Sequence, residues 1–386
     1  MTDHSQLKNE ITSRFNHMTV SLRLAQRAMG LATESLTFEQ TEQGDARRKL
    51  LRVEKQAIRD KALNERSHIN FVNSIREMLH LEITKRLEEK LRNPDHLYYH
   101  VLGFDSRLPE LLDLLSVRAS SISRIEPIAA SMPWLYDELI RLINTPKYRR
   151  MDNKGKVVNV DSLRVALSYL GIENLKMIIP SIALRRSLPQ ITDPFPEIKT
   201  RIFDAAIGTA MSCKKLASIS ELDEYTCFML GFLHDIGKAV IVRLFFILFD
   251  EVQREAIAEA QNERKRDEHS ALLEIEPSDE YLMGIIEQYG YALSAELVHK
   301  MRFKRLFVAA PMQEFAQQKA LNEMSPLAKL LTQAVAYNRY RTLKQHRMIS
   351  VDEAKDFLSQ FHFPKGALSV LKTTDLRELD INMDIF

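Results

Sequence analysis

The sequence predicts an all-α protein. Glycine and proline are sparse, at 11 and 13 of 386 residues, and residues with high helix propensity dominate the composition. Apolar residues also recur at spacings of three and four along most of the chain, which is the period of a helix with one buried face. An apolar content of 45% and a charged content of 27% are ordinary for a folded protein, so we expect these helices to pack around a core.

The overall composition excludes several classes of protein. A formal net charge of +2 gives no general attraction to nucleic acid or to anionic membranes. No apolar run approaches the ~18 residues that a membrane span requires, and the longest, 239–249, is interrupted by Arg243. The start of the chain lacks a signal-peptide pattern, and Cys213 and Cys227 lie in apolar helical patterns. We therefore expect reduced core thiols in a cytoplasmic protein.

Residues 1–104 are predicted to form a helical N-terminal extension. A short helix should end near Gly30, and a long helical segment at 45–92 should have a break near Asn64. Residues 46–92 hold 13 Lys/Arg and seven Asp/Glu. Three interpretations fit this segment: a helical hairpin with a solvated basic face, a coiled-coil or dimerisation arm, and a nucleic-acid site. The scattered acidic residues and the lack of interleaved aromatic residues argue against nucleic acid.

Residues 105–345 are predicted to form the main helical domain. Ser131 is expected to cap one helix, with Pro133 in its first turn, and Pro180 should kink another. Ser278 is expected to cap a further helix. The other predicted helices are 108–115, 160–172, 175–184, 198–216, 222–233, 250–266, 294–301 and 327–340.

Residues 346–386 are predicted to form a C-terminal helix and an acidic tail. Ser350 and Glu353 have the spacing of a capping box, in which each side chain bonds the backbone N–H of the other residue. The helix that they open should run to Phe361.

One octapeptide places ionisable side chains inside an apolar helix: Gly231-Phe232-Leu233-His234-Asp235-Ile236-Gly237-Lys238. Gly237 is expected to end that helix in a left-handed turn, with Lys238 near the negative helix end. An adjacent His and Asp can bind a metal ion through a nitrogen and an oxygen donor. Alternatively, such a pair can belong to a capped core helix, in which the His and the Asp only form hydrogen bonds with the backbone. The residues that form the apolar stripe before the pair are Tyr225, Phe228, Met229, Phe232 and Ile236.

Three further motifs precede the octapeptide in order. They are the Leu108-Pro109 pair, the helix end 139–145 with Asn144-Thr145, and the Ala166-Leu167-Ser168-Tyr169-Leu170-Gly171 helix. With His234-Asp235, this order resembles the HDOD branch of the HD superfamily of metal-dependent phosphohydrolases. The resemblance spans 108–242 and implies that 105–345 is an HDOD-like helical bundle. It also implies a bacterial regulator, in a family linked by domain fusions to response regulators and cyclic-dinucleotide signalling.

The metal-ligand set that the resemblance implies is incomplete in this chain. The superfamily pattern is an upstream His, the His-Asp pair and a distal Asp. Asp204 is the one ligand-type residue at the upstream place, Tyr291 stands where the HDOD branch often carries a His, and 332–338 holds no carboxylate. We therefore predict no metal or cofactor with confidence, and name His234, Asp235 and Asp204 as vestigial candidates for a divalent metal.

The leading hypothesis is a non-catalytic signalling module that acts through a protein partner, with the N-terminal helices setting oligomeric state or partner choice. No membrane or nucleic-acid partner is expected. The first alternative is an HD-type phosphohydrolase or cyclic-nucleotide phosphodiesterase that uses Asp204, His234 and Asp235. The second is an inactive nucleotide sensor in which Lys238, Arg201 and Arg243 reach a phosphate.

Overall fold

Helices account for nearly all of the regular secondary structure, as the composition predicts. The computed structural model describes residues 4–30, 52–151, 157–376 and 379. In that part of the chain the sole strands are Arg150–Met151 (β1) and Val157–Val158 (β2), which pair antiparallel. The all-α prediction is therefore confirmed. No described helix combines the length and the apolar character that a membrane span requires.

The helices are numbered along the chain. They are α1 His4–Val20, α2 Leu22–Ala28, α3 Arg52–Leu91, α4 Arg107–Leu115, α5 Ile122–Ala130, α6 Pro133–Ile143, α7 Leu163–Leu170, α8 Ile172–Ser187, α9 Ile198–Ser220, α10 Glu224–Leu233, α11 Ile236–Asn262, α12 Arg266–Glu274, α13 Asp279–Lys300, α14 Ala309–Ala316, α15 Pro326–Gln345, α16 Val351–Ser359 and α17 Ala367–Thr373. A helical turn, Pro94–His96, and a π-helical turn, Leu97–Val101, separate α3 from α4.

Helix α1 is an element that the sequence analysis did not predict. It lies against α9, α13, α15 and α16. Its buried residues Leu7, Ile11, Phe15 and Met18 recur every three or four positions, so they form one apolar face. The start of the chain is therefore part of the helical body rather than of a separate arm.

Helix α3 runs for 40 residues without the predicted break near Asn64. The prediction was wrong because Asn and Ser lower helix propensity without ending a helix, and 52–91 contains neither Gly nor Pro. The second half of α3 buries Val72, Leu79 and Ile83 against the neighbouring α11 and α12. Residues 59–71 are exposed on every side, so the first half extends away from the body. The predicted residues 45–51 of this helix lie outside the described part of the chain.

Other helix boundaries also differ from the prediction. Met132, not Ser131, occupies the N-cap of α6, because Ser131 ends α5 and its hydroxyl donates to the Ile128 carbonyl at 2.7 Å. The apolar run 239–249 and most of the predicted helix 250–266 form one 27-residue helix, α11, and the predicted helix 294–301 is the end of α13. Charged residues such as Asp250 and Arg254 are exposed on α11 and do not interrupt it.

One large cluster of buried apolar residues joins most of the helices, and a second, smaller cluster joins α1 and α16 to α9 and α15. The large cluster reaches from Val20, at the end of α1, to Leu376, beyond α17, and its members include fully buried side chains of α9, α10 and α11. Helices α4–α8 pack at one end of α9–α11, and α13–α15 cover another side. The division of the chain at residues 104 and 345 remains a prediction.

Candidate functional site

The His-Asp pair lies at a corner between two buried helices. Helix α10 ends at Leu233, His234 is its C-cap, and α11 begins at Ile236, directly after Asp235. The His234 and Asp235 residues are 3% and 5% exposed, respectively. The pair therefore lies inside the protein, where each polar atom needs a partner from the protein itself.

Gly237 does not end a helix, contrary to the prediction. It lies in the first turn of α11, outside the left-handed region, and its N–H donates to the Ser294 hydroxyl of α13 at 2.9 Å. A Cβ at this position would come within 2.4 Å of the Gly290 carbonyl oxygen and 2.8 Å of the Ser294 nitrogen. The glycine is therefore needed for the close approach of two helices.

His234 is held by the backbone of its own helix. Its Nδ1 lies 2.6 Å from the Gly231 carbonyl oxygen, and since a carbonyl only accepts, Nδ1 carries the proton. Its Nε2 lies 3.8 Å from Asp235 Oδ2, and its ring contacts Phe315 edge-on. Burial lowers the pKa of His234 below its ordinary value, although Asp235 acts in the opposite direction. The imidazole is therefore neutral near pH 7.

Asp235 forms a buried ion pair with Lys238. The Lys238 ammonium donates to Asp235 Oδ2 at 2.8 Å, and both side chains are almost completely enclosed. Burial by itself would raise the pKa of Asp235, but Lys238, His234 and Arg339 outweigh it and hold that pKa below its ordinary value. The second oxygen, Asp235 Oδ1, is buried and has no hydrogen-bond partner among the described residues.

Helix α1 covers this corner together with Arg339 of α15. The Phe15 ring centroid lies 5.8 Å from the Lys238 ammonium and 6.0 Å from the Arg339 guanidinium. Arg339 donates to the Thr12 hydroxyl at 2.8 Å and also to the Tyr291 hydroxyl. A single carboxylate thus lies beside two cations, beneath an aromatic ring.

The remaining candidate residues lie elsewhere. Asp204 is exposed on α9 and lines a cavity that neither Asp235 nor Lys238 lines. Arg201 donates to the Met18 carbonyl at 2.9 Å, and Arg243 donates to the Ser187 carbonyl at 3.1 Å. Asp204 and Asp235 therefore line different cavities, and Lys238, Arg201 and Arg243 each bond a different group of the protein.

Comparison with known proteins identifies the region that surrounds the corner. Residues 104–278 match the HDOD domain family. The chain contains an HDOD domain. No match is found among curated proteins. The matched region includes His234, Asp235 and Lys238, whereas Phe15 and Arg339 lie outside it.

Two solved structures, both from Shewanella amazonensis, are similar to the chain. One, described as a candidate phosphohydrolase, is 19% identical, with a TM-score of 0.42, over 72% of this chain and 92% of its own. The other, described as a candidate metal-dependent phosphohydrolase, is 14% identical, with a TM-score of 0.37, over 77% of this chain and 99% of its own.

The polar motif before the corner has a structural role in the HDOD domain. The Asn144 amide, at the end of α6, donates to the Val160 carbonyl at 2.7 Å and accepts the Val160 N–H at 2.9 Å. The amide also donates to the Ile140 carbonyl at 2.9 Å. One side chain thus ends a helix and fixes the segment that leads into α7.

The residues of the HDOD corner do not fit a divalent metal. Within residues 4–30, 52–151, 157–376 and 379, no three His, Cys, Asp or Glu side chains come together in a way that could hold one. The Lys238 ammonium lies 2.8 Å from Asp235 Oδ2, so a metal could use only Oδ1 of this carboxylate and would lie close to that cation. Within 332–338, where the superfamily pattern places a distal carboxylate, the Asn338 amide donates to the Ala205 carbonyl and to the Thr209 hydroxyl, both at 3.1 Å. This segment offers a metal no carboxylate.

Sequence reasoning missed the residues that cover the HDOD corner. The apolar spacing of Leu7, Ile11 and Phe15 could have predicted α1, because it follows a helical period. Arg339 interrupts the apolar pattern of the predicted helix 327–340, and a cation on a buried face calls for a partner. No local pattern indicates that Phe15 and Arg339 meet Lys238.

Proposed function

We propose that the protein is a non-catalytic regulatory module that acts through protein–protein contacts. The observation that carries this proposal is the Lys238–Asp235 ion pair, buried beneath Phe15 of α1. It provides the carboxylate with a cation from the protein itself. Hydrolysis in the HD superfamily needs a bound metal with an open position for water, and a protein cation already at the carboxylate argues against such a site.

Electrostatics opposes a metal at the same place. A divalent cation beside Asp235 would lie close to the Lys238 ammonium and would meet the charge of Arg339 as well. Displacing the ammonium would leave a buried lysine unpaired, which is costly in the protein interior. The arrangement of charges thus supports a structural role for the His-Asp pair.

Helix α3 is the proposed contact element. Residues 59–71 are exposed on every side, and Phe71, Met78 and Leu81 are 39%, 66% and 69% exposed. These three residues are spaced by seven and three positions, so they lie on one face of the helix. Phe71 ends the free half of α3, whereas Met78 and Leu81 lie on the outer side of its packed half. Since an isolated helix is marginally stable in water, the free half gains from a partner that covers this face. We propose that a second protein chain, in a bacterial signalling pathway of the cytoplasm, packs against this face.

Metal content tests the non-catalytic part of the proposal. Wild-type protein, purified without a chelator, is compared with His234→Ala by elemental analysis, and both are assayed on bis(p-nitrophenyl) phosphate with added Mn²⁺. We expect no stoichiometric metal and no difference in turnover. Near-stoichiometric iron, manganese or zinc that is lost in the variant would instead support the metal-dependent phosphohydrolase.

Oligomeric state and partner capture test the contact element. A Phe71→Glu/Met78→Glu/Leu81→Glu variant should lose self-association in light scattering, or lose a partner that the wild type captures. Val351→Glu is the matched control, because Val351 is equally apolar and 71% exposed on α16. If the triple variant and the control behave like the wild type in both measurements, α3 is not the contact element.

A further inference from the structure

A cavity with other lining residues than the His-Asp corner lies between α6, α8 and α9. Its volume is about 550 Å³, within the range of small-molecule sites. It shares no lining residue with the cavity at Asp235 and Lys238. One wall is apolar and is formed by Leu142, Ile178, Ile182, Phe203, Ile207 and Leu379.

The rest of the lining is strongly cationic. Arg141, Lys147, Arg185 and Arg186 face the cavity, and Glu138 is the one carboxylate in its lining. Glu138 is already bonded to Arg141 at 2.5 Å. Neither Arg185 nor Arg186 forms an ion pair with a carboxylate in the described part of the chain. Among the described residues, Arg185 and Arg186 therefore bring positive charge to the cavity that no carboxylate pairs.

Aromatic rings hold the two arginines in place. The guanidinium of Arg185 lies 4.8 Å from the Phe203 ring centroid, and that of Arg186 lies 5.5 Å from the Trp134 centroid. A stacked guanidinium is fixed in orientation, yet its in-plane N–H donors remain available. Since arginine cannot lose its proton in proteins, both groups stay charged at every physiological pH.

The surroundings reinforce the positive potential. The segment from Arg141 to Arg186 holds ten Lys/Arg and three Asp/Glu, whereas the whole chain has a net charge of only +2. Burial, together with the charge of Arg186, lowers the pKa of the neighbouring Arg243. The segment is thus basic, and four of its Lys/Arg residues line the cavity.

We propose that this cavity binds a nucleotide, with phosphate oxygens on Arg185 and Arg186 and the base against the apolar wall at Phe203. Guanidinium groups match phosphate oxygens in charge and in fork geometry. Inorganic phosphate alone would leave the apolar wall uncovered, and a base of low polarity is the kind of group that covers it. This assignment is independent of the His-Asp corner and of the proposed contact through α3.

Calorimetric titration with ATP tests the proposal. The wild type should bind ATP, more weakly as salt is added, and should bind tripolyphosphate at least about tenfold more weakly than ATP because the base is missing. Arg185→Gln/Arg186→Gln should weaken ATP binding by at least about tenfold, since both charge-assisted contacts are lost. Arg118→Gln/Arg124→Gln is the matched control, because both arginines are exposed in the same part of the chain and neither lines the cavity.

Three results would overturn the proposal. They are the absence of ATP binding by the wild type, equal ATP affinity of the wild type and Arg185→Gln/Arg186→Gln, and tripolyphosphate that binds as tightly as ATP. Melting temperatures of both double variants, measured first, establish that each is folded. Because Arg185 and Arg186 are exposed, their replacement is expected to leave the melting temperature nearly unchanged.

Discussion

Asp235 is a buried carboxylate. Its charge is balanced closely by Lys238 and more distantly by Arg339. Removing a carboxylate from water is expensive, and the ammonium at 2.8 Å offsets that cost. The ion pair need not stabilise the folded protein, because a protein with an apolar pair of the same shape could be as stable. Its clear consequence is that each partner depends on the other.

Replacing Lys238 alone should therefore be strongly destabilising. In Lys238→Met the Asp235 charge loses its close partner, and we expect the free energy of unfolding to fall by about 3–5 kcal/mol. Urea denaturation measures the change. The double variant Asp235→Asn/Lys238→Met removes both charges and should recover most of the loss. Equal stability of the single and double variants would contradict the mutual dependence.

The close approach of α11 and α13 depends on a glycine. Because Gly237 has no side chain, the helices approach so closely that its Cα side contacts the Gly290 carbonyl. Gly284 lies on the same α13 helix, is exposed, and has open space where its Cβ would be. Replacing Gly237 therefore tests close helix packing, whereas replacing Gly284 tests helix propensity alone.

Alanine at these two positions should have opposite effects. We expect Gly237→Ala to destabilise the protein by about 1–3 kcal/mol, because the helices must move apart. Gly284→Ala should stabilise it by about 0.5–1 kcal/mol, because alanine restricts the unfolded chain and favours the helix. Chemical denaturation of both variants, against the wild type, provides the comparison. A neutral Gly237→Ala would show that the helices can separate without cost.

A histidine joins the long helix α3 to the start of α13. His80 is fully buried, with Nδ1 2.8 Å from the Arg76 carbonyl oxygen, and its Nε2 accepts the Ser278 N–H at 3.0 Å. Its ring also stacks on Tyr281 at 4.6 Å between centroids. Since Nε2 accepts a hydrogen bond, the imidazole is neutral, and protonation would break the contact with α13.

The stability of this joint should depend on pH. Burial lowers the pKa of His80 in the folded protein, so protons bind more tightly to the unfolded chain. The stabilisation is complete above about pH 6.5, the unfolded value, and is lost as the pH falls towards the folded pKa. We expect the free energy of unfolding to decrease between pH 7.5 and pH 5, and to decrease less in His80→Gln, which does not titrate. Parallel pH profiles of the two proteins would exclude this role.

At the scale of the whole molecule, the N-terminus closes the HDOD corner. Phe15 is 5% exposed and contacts both cations of the corner, although it precedes Lys238 by more than 200 positions. Helix α1 therefore connects the beginning of the chain, the His-Asp corner and α15. The HDOD corner is enclosed by segments that lie outside the family match.

Phe15→Ala should destabilise the protein by about 3–5 kcal/mol, because it leaves a cavity above Lys238 and Arg339. The matched control is Phe307→Ala, since Phe307 is 74% exposed and its replacement should change stability by less than about 0.5 kcal/mol. Thermal and urea unfolding report both effects, and hydrogen exchange should quicken at the start of α11 in Phe15→Ala only. Similar losses in the two variants would mean that α1 does not close the corner.

The sequence by itself determined the features that depend on neighbouring residues. Scarce glycine and proline and the helical period specified an all-α chain. The spacing of Ser350 and Glu353 specified a capping box, which is present with bonds of 3.2 Å and 2.7 Å. The ordered motifs around His234-Asp235 indicated the HDOD family, which the family match confirms. Propensity, capping and motif order are local, so they can be read without knowledge of the fold.

The tertiary structure alone decided what the polar residues of the corner contact. Whether Gly237 ends a helix or allows the close approach of a second helix depends on where α13 lies. Whether Lys238 is solvated or paired beneath Phe15 depends on the position of α1. Contacts between residues far apart in sequence set the burial and the charge balance of a side chain, and these quantities have no signature in the residues beside it.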